Sequence, residues 1–295
     1  MITQDYKLQV REAILQNREN YPSLSDSKYA KMLDIGSAVF SRIKSGETDR
    51  VLSDSKWIEI GRKLSVGKSK KNWNIARTSV YTEIEQNIRF CKEYSKATIL
   101  IDECGIGKSF CTKHIVKQLK NSYYVDCSQA KTKSQFIRHL AATLGVDNTG
   151  KLYDIKENIK YYINLMDEPF IALDDSGYLE INVLVEIIEI WNGTEGNCGW
   201  FMIGDDSLQN KIQRGLNSKK VGFKALFSRF SDEFIHYVPV GKQDRQEFYK
   251  QLIGDVASVN MKDASKINKM VKICLSKEKT LRHLSTLIQL ENAYE

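Results

Sequence analysis

Hydrophobic residues recur at helical spacing through the first quarter of the chain, in four short segments separated by polar residues. Apolar side chains three or four residues apart form one face of an amphipathic helix, and that face must pack against another helix. The pattern therefore predicts a small all-helical domain. Its helices are expected over residues 6–20, 25–33, 37–44 and 55–64.

From residue 80 onward, short apolar runs of strand length alternate with amphipathic stretches. This alternation is typical of a parallel sheet, because parallel neighbours are joined by crossover helices. The pattern predicts an α/β fold for this part of the chain. The expected strands are 97–101, 123–125, 170–173 and 200–203, and the expected helices are 80–93, 107–119, 134–144, 153–166 and 182–191.

After residue 240 the periodicity is helical only. The chain has three prolines, so boundaries follow from glycine, serine and charge instead. We expect a helical domain over 1–65, a basic linker over 66–80, an α/β core over 81–240 and a helical lid over 241–295.

The charge distribution draws attention to the linker. The 295 residues have a net charge of +7, and six of these excess charges lie within residues 1–80. No acidic residue lies between Glu59 and Glu83. This segment is predicted either to contact nucleic-acid phosphates or to be a plain solvated linker. Its candidate contacts are Lys68, Lys70 and Lys71.

The six cysteines form no C-x-x-C pair, and no run of 18 apolar residues occurs. The first residues also lack the basic-then-apolar pattern of a secretion signal. We therefore expect a cytoplasmic protein with reduced thiols and no membrane partner.

The most informative motif, D-E-C-G-I-G-K-S, follows the first predicted strand at residues 102–109. It fits the phosphate-binding loop G-x-x-x-x-G-K-[ST], except that Asp102 stands in place of the first glycine. Asp102 is expected to disturb the loop entry and to bring a negative charge near the phosphates. In such a loop the lysine reaches the β- and γ-phosphates of ATP and the serine binds Mg²⁺. The predicted nucleotide-binding residues are Gly105, Ile106, Gly107, Lys108, Ser109 and Phe110.

A second nucleotide motif is predicted where the strand 170–173 ends in Asp174 and Asp175. After a phosphate loop, two such carboxylates are suited to hold Mg²⁺ through Asp174 and to polarise the attacking water through Asp175. ATPases of this kind usually have glutamate at the second position, so the shorter Asp175 puts the rate of hydrolysis in question.

Three further residues are candidates for action on the γ-phosphate. Asp205 follows the fourth strand, and Arg282 begins a predicted helix of the lid. Arg229 follows a predicted basic loop and is suited to reach the nucleotide of a neighbouring subunit, although a plain surface arginine would have the same local sequence. The basic loop contains Lys211, Arg214, Lys219, Lys220 and Lys224.

In this order, the motifs resemble the AAA+ superfamily over residues 75–292. Within it, the chain is most similar to transposition ATPases of the phage Mu B, TniB and TnsC type, in which a basic linker leads into a compact ATPase core. This resemblance implies an ATP- and Mg²⁺-dependent ATPase that forms a helical homo-oligomer on duplex DNA without sequence preference. It also implies that the protein delivers target DNA to a cognate transposase.

Residues 25–46 are similar to a Cro-like helix-turn-helix, in which Ala30 lies at the helix crossing and Gly36 permits the turn. Ile35, Phe40 and Ile43 are expected in its core. A generic three-helix bundle is the alternative. The second helix would present Ser37, Ala38, Ser41, Arg42 and Lys44 to DNA.

The AAA+ resemblance also implies that the loop after the second strand faces DNA. Lys131, Thr132 and Lys133 are the candidates for phosphate contacts there, with a solvated loop as the alternative. Two other functions stay open: a helix-turn-helix transcription regulator with a nucleotide-switched oligomerisation domain, and an ATPase of the initiator or helicase-loader type.

Overall fold

A computed structural model describes residues 2–22, 24–64, 66, 73–278 and 280–294. The chain divides into two compact units. The first comprises Met1–Trp73 together with Leu144–Asp147, and the second comprises Asn74–Thr143 and Asn148–Glu295. The linker lysines Lys68, Lys70 and Lys71 lie outside the described residues.

The first unit is helical, as its hydrophobic pattern predicts. Its helices are α1 (Gln4–Glu19), α2 (Asp26–Met32), α3 (Ser37–Lys44) and α4 (Asp54–Lys63). Side chains from all four helices form one core, which includes Val10, Ala30, Phe40, Ile43 and Trp57.

The turn between α2 and α3 differs from the prediction in one respect. Gly36 has a φ of −71°, an angle that any residue adopts, so the turn does not require glycine there. The left-handed residue is Asp34, with a φ of 55°. Aspartate is among the few side chains that tolerate this conformation, and its carboxylate pairs with Lys56 at 2.7 Å.

The second unit is built on five parallel strands in the order β2-β3-β4-β1-β5. The predicted α/β class with a parallel sheet is confirmed. Because β1 lies between β4 and β5, the strand order reverses beside β1, and ligands bind such sheets where the carboxyl ends meet at this point. The strands are β1 (Ala97–Ile101), β2 (Ser122–Asp126), β3 (Phe170–Asp174), β4 (Gly199–Gly204) and β5 (Phe234–Ile235).

Helices connect the strands and cover the sheet. Tyr81, Ile84 and Ile88 of the first of these helices pack in one cluster with Leu100 and Phe201 of the sheet. This unit contains α5 (Ser79–Glu93), α6 (Lys108–Gln118), α7 (Lys133–Leu144, except its last residue), α8 (Leu152–Asn164), α9 (Ile181–Asn192), α10 (Asp206–Asn217), α11 (Phe223–Arg229), α12 (Lys242–Asn260), α13 (Ile267–Ser276) and α14 (Leu281–Tyr294).

The prediction of a basic loop before Arg229 is wrong for three of its five residues, because only Lys219 and Lys220 lie between α10 and α11. Lys211 and Arg214 lie on α10 and Lys224 lies on α11. Both helices form because each has an apolar face that the sheet or its neighbour covers, with Leu208 and Ile212 buried on α10 and Leu226 buried on α11. The fifth strand was also not predicted, since two residues are too few to show an alternating pattern.

All six cysteines are free thiols, and only Cys104 is exposed. No helix among the described residues combines the length and the apolar character that crossing a membrane requires.

Candidate nucleotide site

The phosphate-binding loop joins β1 to α6 at the carboxyl edge of the sheet. Gly105 and Gly107 have φ values of +88° and +103°, in the left-handed region that favours glycine. Gly107 is the N-cap of α6, so the helix begins at Lys108 and its first amides face the loop. Such a helix start binds phosphate, because its free N–H groups and its dipole both attract an anion.

Lys108 is buried at the mouth of this loop. Its ammonium donates to the carbonyl oxygens of Asp102 at 2.5 Å and Glu103 at 2.8 Å. Burial lowers its pKa, although Cys104, Asp102, Asp174 and Asp205 nearby favour the charged form. The loop therefore holds one cation among carbonyl groups, where a phosphate would be a stronger partner.

Asp102 does not disturb the loop. One carboxylate oxygen accepts from the amides of Tyr237 at 2.6 Å and Val238 at 3.1 Å, and the other accepts from the amide of Glu103 at 2.8 Å. Its own amide donates to Gly204 of β4 at 3.3 Å. Asp102 thus joins the loop entry to β4 and to the chain after β5, and its charge is satisfied by these amides.

Asp174 ends β3 and is buried at the same edge. The hydroxyl of Tyr124 donates to its Oδ2 at 2.5 Å. Burial, and then the charge of Asp174, raises the pKa of Tyr124, so this phenol keeps its proton and remains a donor. Among the described side chains no hydrogen bond reaches Oδ1 of Asp174, which is left to bind a metal ion or its water.

The residues present fit a Mg²⁺ ion. Asp174 and the exposed hydroxyl of Ser109, at the second position of α6, offer the oxygen ligands that Mg²⁺ prefers. In the described ranges no three His, Cys, Asp or Glu side chains cluster as a metal site. Mg²⁺ in phosphoryl-transfer sites needs only one or two protein ligands, since phosphate oxygens and waters complete its shell.

Asp175 is exposed and has a left-handed φ of 53°. This conformation is uncommon for a residue with a side chain and directs the chain sharply into a 3₁₀ turn, Ser176–Tyr178. The surrounding protein removes part of the water around its carboxylate and raises the pKa of Asp175, and the negative charges of Asp174, Asp126 and Asp205 add to the effect. A raised pKa suits a carboxylate that orients or deprotonates water.

Asp205 lies beside the phosphate loop. Its Oδ1 accepts from the amide of Ser207 at 3.0 Å and its Oδ2 lies 3.7 Å from the thiol of Cys104. The hydrogen bond from the Ser207 amide makes Asp205 the N-cap of α10, and the hydrogen bond from the Ser207 hydroxyl lowers the pKa of Asp205. A carboxylate fixed in this way faces the loop that would hold the phosphates.

The helical segment predicted as the lid contacts the phosphate loop directly. The amide of Leu281 donates to the carbonyl of Gly105 at 3.1 Å. A Cβ on Gly105 would lie 2.2 Å from Oγ1 of Thr280, so only glycine allows this approach. Glu103 accepts from the hydroxyl of Tyr249 at 2.5 Å and forms a two-point pair with Arg245 of α12.

A cleft of about 430 Å³ is lined mostly by residues of the predicted lid and, on the side of the loop, by Glu103. Its lining includes Glu103, Arg245, Tyr249, Leu275 and Thr280. The volume is typical of small-molecule sites. Arg282, in the first turn of α14, is exposed, and among the described residues it has no side-chain hydrogen bond or ion pair.

Arg229 lies at the amino-terminal edge of the sheet, where β1 begins, opposite the carboxyl edge that carries the phosphate loop. It ends α11, and the hydroxyl of nearby Ser231 donates to the carbonyl of Ala97 at the start of β1. The five residues of β1 span about 13 Å, and the phosphate loop begins beyond their far end. The side chain of Arg229 therefore does not reach the phosphate loop of its own chain.

Local partners hold Arg229 at this edge. Its Nε donates to Oδ1 of Asn192 at 2.6 Å and its Nη1 donates to the carbonyl of Ala225 at 3.0 Å. The guanidinium also lies 5.3 Å from the ring centre of Trp191, within the range of a cation–π interaction. No carboxylate of the described residues pairs with it.

The loop after β2 contains the three predicted phosphate contacts. Thr132 is engaged in a capping box at the start of α7, because its hydroxyl accepts from the amide of Gln135 and its amide donates to the Gln135 side chain. Lys133 pairs with Glu186. Lys131 is exposed, its ammonium lies 5.3 Å from the ring centre of Tyr178, and no described carboxylate pairs with it.

In the first unit, all five residues predicted to face DNA are exposed on α3. The two basic ones have acidic partners, since Arg42 pairs with Glu47 at 2.8 Å and Lys44 pairs with Asp26 at 3.0 Å. The exposed residues are Ser37, Ala38, Ser41, Arg42 and Lys44.

Sequence reasoning missed Tyr124 and the Glu103–Arg245–Tyr249 cluster. Tyr124 gives no signal, because a tyrosine in a strand is most often a packing residue. Glu103 and Arg245 are 142 residues apart, so no local spacing relates them. The helix α10 did have a signal, the N-cap Asp205 followed by apolar residues four apart at Leu208 and Ile212.

A family model matches the part of the chain that contains the phosphate loop, Asp174 and Asp205. Residues 85–212 match the family model described as an AAA domain. This part of the chain is therefore similar to an AAA domain, and the match supports the broader prediction of an AAA+ ATPase. The narrower assignments, to the transposition ATPases and to a helix-turn-helix, stay predictions.

One solved structure similar to this chain is the crystal structure of Cdc6p from Pyrobaculum aerophilum. The two share 13% sequence identity with a TM-score of 0.48. The match covers 64% of this chain and 52% of that chain, so it spans about half of the Cdc6p structure. No curated protein matches the chain.

Proposed function

We propose that this protein is a Mg²⁺-dependent ATPase that assembles on duplex DNA without sequence preference and presents that DNA to a cognate transposase. The observation that carries the proposal is the convergence of Lys108, Asp174 and Asp205 at one sheet edge, each following a different strand. These groups are the ones that phosphoryl transfer needs: a cation on the phosphates, a metal ligand and a polar group near the γ-phosphate.

We assign the roles within the site from the motifs and, where a residue has them, from its contacts. Residues 105–110 would bind the phosphates of ATP, with Lys108 on the β- and γ-phosphates. Ser109 and Asp174 would hold Mg²⁺. Asp175, with its raised pKa, would orient the attacking water, while Asp205 and Arg282 would contact the γ-phosphate.

Arg229 supports assembly into a homo-oligomer. A guanidinium at the far edge of the sheet, without a carboxylate among the described residues, is suited to a phosphate of a neighbouring copy. If each copy contributes Arg229 to the next, the interface is head-to-tail, and such interfaces generate rings or helical filaments. ATP bound between copies would then stabilise the assembly, and hydrolysis would release it.

DNA binding is proposed to involve the core loop at Lys131–Lys133 and the exposed face of α3. Phosphate contacts from lysine carry no sequence information, which suits a protein that accepts any target. Delivery to a transposase rests on the resemblance of the whole motif order to the Mu B, TniB and TnsC type. A regulator in which α3 reads one operator is the second candidate, and the exposure of Arg42 and Lys44 favours it.

Salt-titrated DNA binding separates the two functions. We expect the double variant Lys131→Gln, Lys133→Gln to weaken binding to two unrelated duplexes alike, in the presence of a non-hydrolysable ATP analogue. Each lost phosphate contact should reduce the slope of log affinity against log salt by about 0.9. Glutamine is chosen because a reversed charge at Lys133 would repel its partner Glu186.

The matched control is Lys117→Gln, Lys120→Gln, which removes the same charge from exposed positions elsewhere on the ATPase unit and should leave the slope unchanged. If the protein is a regulator, the losses of DNA affinity should rank the other way. The double variant Arg42→Gln, Lys44→Gln would then lose binding to one preferred duplex, and the double variant of Lys131 and Lys133 would bind DNA normally. Electron microscopy with random-sequence duplex, with and without the analogue, tests filament formation directly.

A further inference from the structure

Lys211 is a half-buried lysine of α10 whose ammonium contacts no carboxylate among the described residues. It donates instead to two backbone carbonyls, those of Gly177 at 2.6 Å and Leu179 at 2.5 Å. Burial lowers its pKa, since the protein offers carbonyl dipoles in place of water. Burying an ammonium group without a carboxylate partner costs free energy. The contact therefore indicates that the two carbonyl groups need Lys211 as their hydrogen-bond donor.

The two carbonyls belong to the turn that follows Asp175. In this turn the amide of Tyr178 donates to the carbonyl of Asp175 at 3.0 Å, and the hydroxyl of buried Ser176 donates to the carbonyl of Leu173 at 2.9 Å. The last carbonyls of a short helix have no partner within it. Lys211 supplies that partner and ties the turn to α10.

The same helix holds Asp205. Asp205 caps α10, and Lys211 lies six residues further along it. The turn also packs on the start of α10, because a Cβ on Gly177 would lie 2.3 Å from Oγ of Ser207. A single helix therefore sets the position of Asp205 beside the phosphate loop and the position of the turn that carries Asp175.

We propose that Lys211 is a positioning residue for ATP hydrolysis, which holds the 175–180 turn so that the left-handed Asp175 keeps its carboxylate directed at the attacking water. The inference rests on the proposed role of Asp175 in hydrolysis. Lys211 touches neither nucleotide nor water in this mechanism, so it affects turnover and not nucleotide binding.

The test compares two variants. Lys211→Met removes the ammonium group and keeps a side chain of similar length, and Lys211→Arg keeps a cation at this position. Lys211→Met should lower kcat by about tenfold to hundredfold, as small displacements of a reacting group do. Its KM for ATP and its affinity for a fluorescent ATP analogue should stay within about twofold of the wild-type values. Lys211→Arg should recover part of kcat.

Arg214→Met is the matched control, since Arg214 is an exposed cation of the same helix with no side-chain hydrogen bond or ion pair among the described residues. It should leave kcat unchanged. Equal losses of kcat and nucleotide affinity in Lys211→Met would show a merely structural role and overturn the proposal. A normal kcat in Lys211→Met would overturn it as well.

Hydrogen exchange provides a readout that does not depend on ATPase activity. The amides of residues 178–180 should exchange faster in Lys211→Met than in the wild type, and at the wild-type rate in Arg214→Met. Unchanged exchange would overturn the proposal even if the variant lost activity. If the wild-type protein bound ATP without hydrolysing it, the proposed hydrolysis would fail, while faster exchange would still show that Lys211 holds the turn.

Discussion

At the carboxyl edge of the sheet, Lys108 and Asp205 are fixed by carbonyls and amides of the loops that carry them, whereas at the opposite edge Arg229 is held by Asn192, Trp191 and one carbonyl. Backbone partners keep their position as long as the strands pair. Side-chain partners on a half-exposed surface are displaced more readily when a stronger ligand binds. The first edge is therefore a preformed site, and the second carries the cation that we propose contacts a phosphate of another copy.

The largest effect is expected from removing the cation of the preformed edge. Lys108→Ala should weaken ATP binding by about two orders of magnitude, since hydrogen bonds to charged groups each contribute about 1.5–3 kcal/mol and this ammonium donates more than one. ATP-dependent DNA binding should be lost with it. Titration with a fluorescent ATP analogue measures the affinity, and Lys117→Ala, an exposed lysine of the same helix, is the control. Near-normal affinity in Lys108→Ala would show that this loop does not bind the phosphates.

The next effect separates the two carboxylates of the same edge. Asp174→Asn should weaken Mg²⁺-dependent nucleotide binding, because its carboxylate is the proposed metal ligand. Asp175→Asn should bind nucleotide normally and lower kcat by about a hundredfold or more, as loss of a general base does. It should also stabilise DNA-bound assemblies. An equal loss of affinity in both variants, measured with and without Mg²⁺, would contradict the division of roles.

Replacing Arg229 tests the contrast between the edges. Arg229→Ala should bind ATP with normal affinity but fail to oligomerise or to hydrolyse it, because its own phosphate loop lies beyond β1. Mixing it with Asp174→Asn protein should restore some activity, since one interface then pairs an intact arginine with an intact site. The readouts are ATPase rate and sedimentation.

The control for the mixing experiment is Lys224→Ala, which removes an exposed cation from the same helix as Arg229. It should oligomerise and hydrolyse ATP like the wild type. Co-assembly of the two inactive proteins without any recovery of activity would count against action between copies.

The smallest effect is expected where the lid meets the preformed edge. Burial favours the neutral form of Glu103, but hydrogen bonds from Arg245 and Tyr249 outweigh it and lower the pKa of Glu103. A lowered pKa stabilises the folded state above the unfolded value of about 4.3, and this contribution is lost as the pH falls through the folded pKa. Glu103→Gln should therefore cost about 1 kcal/mol or less at pH 7, because the pair is partly exposed.

Thermal unfolding checks this prediction at two pH values. The difference in Tm between wild type and Glu103→Gln should shrink in acid, where the wild-type carboxylate is also protonated. A difference that grows on acidification would show that the ion pair does not stabilise the lid contact. Glu247→Gln, whose pair with Lys250 lies within α12 and is more exposed, is the matched control and should show no such pH dependence.

The sequence alone determined the parts of this protein that depend on neighbours along the chain. Helical and strand periodicity located β1 to β4 and the helices of the first unit, because burial of one face follows from local spacing. The phosphate loop was recognised because Gly105, Gly107, Lys108 and Ser109 act as one continuous segment. The paired aspartates after β3 were recognised for the same reason.

Only the tertiary structure decided which hydrogen bonds form between segments that are distant in the sequence. Asp102 was expected to disturb the loop, yet amides more than 130 residues away satisfy it. Lys211 was assigned to a basic loop, but it lies on a helix and supports the turn after Asp175. Pairings of this kind leave no periodic signal in the sequence. The fold brings the partners of a buried charge together, and their spacing along the chain does not determine which residues they are.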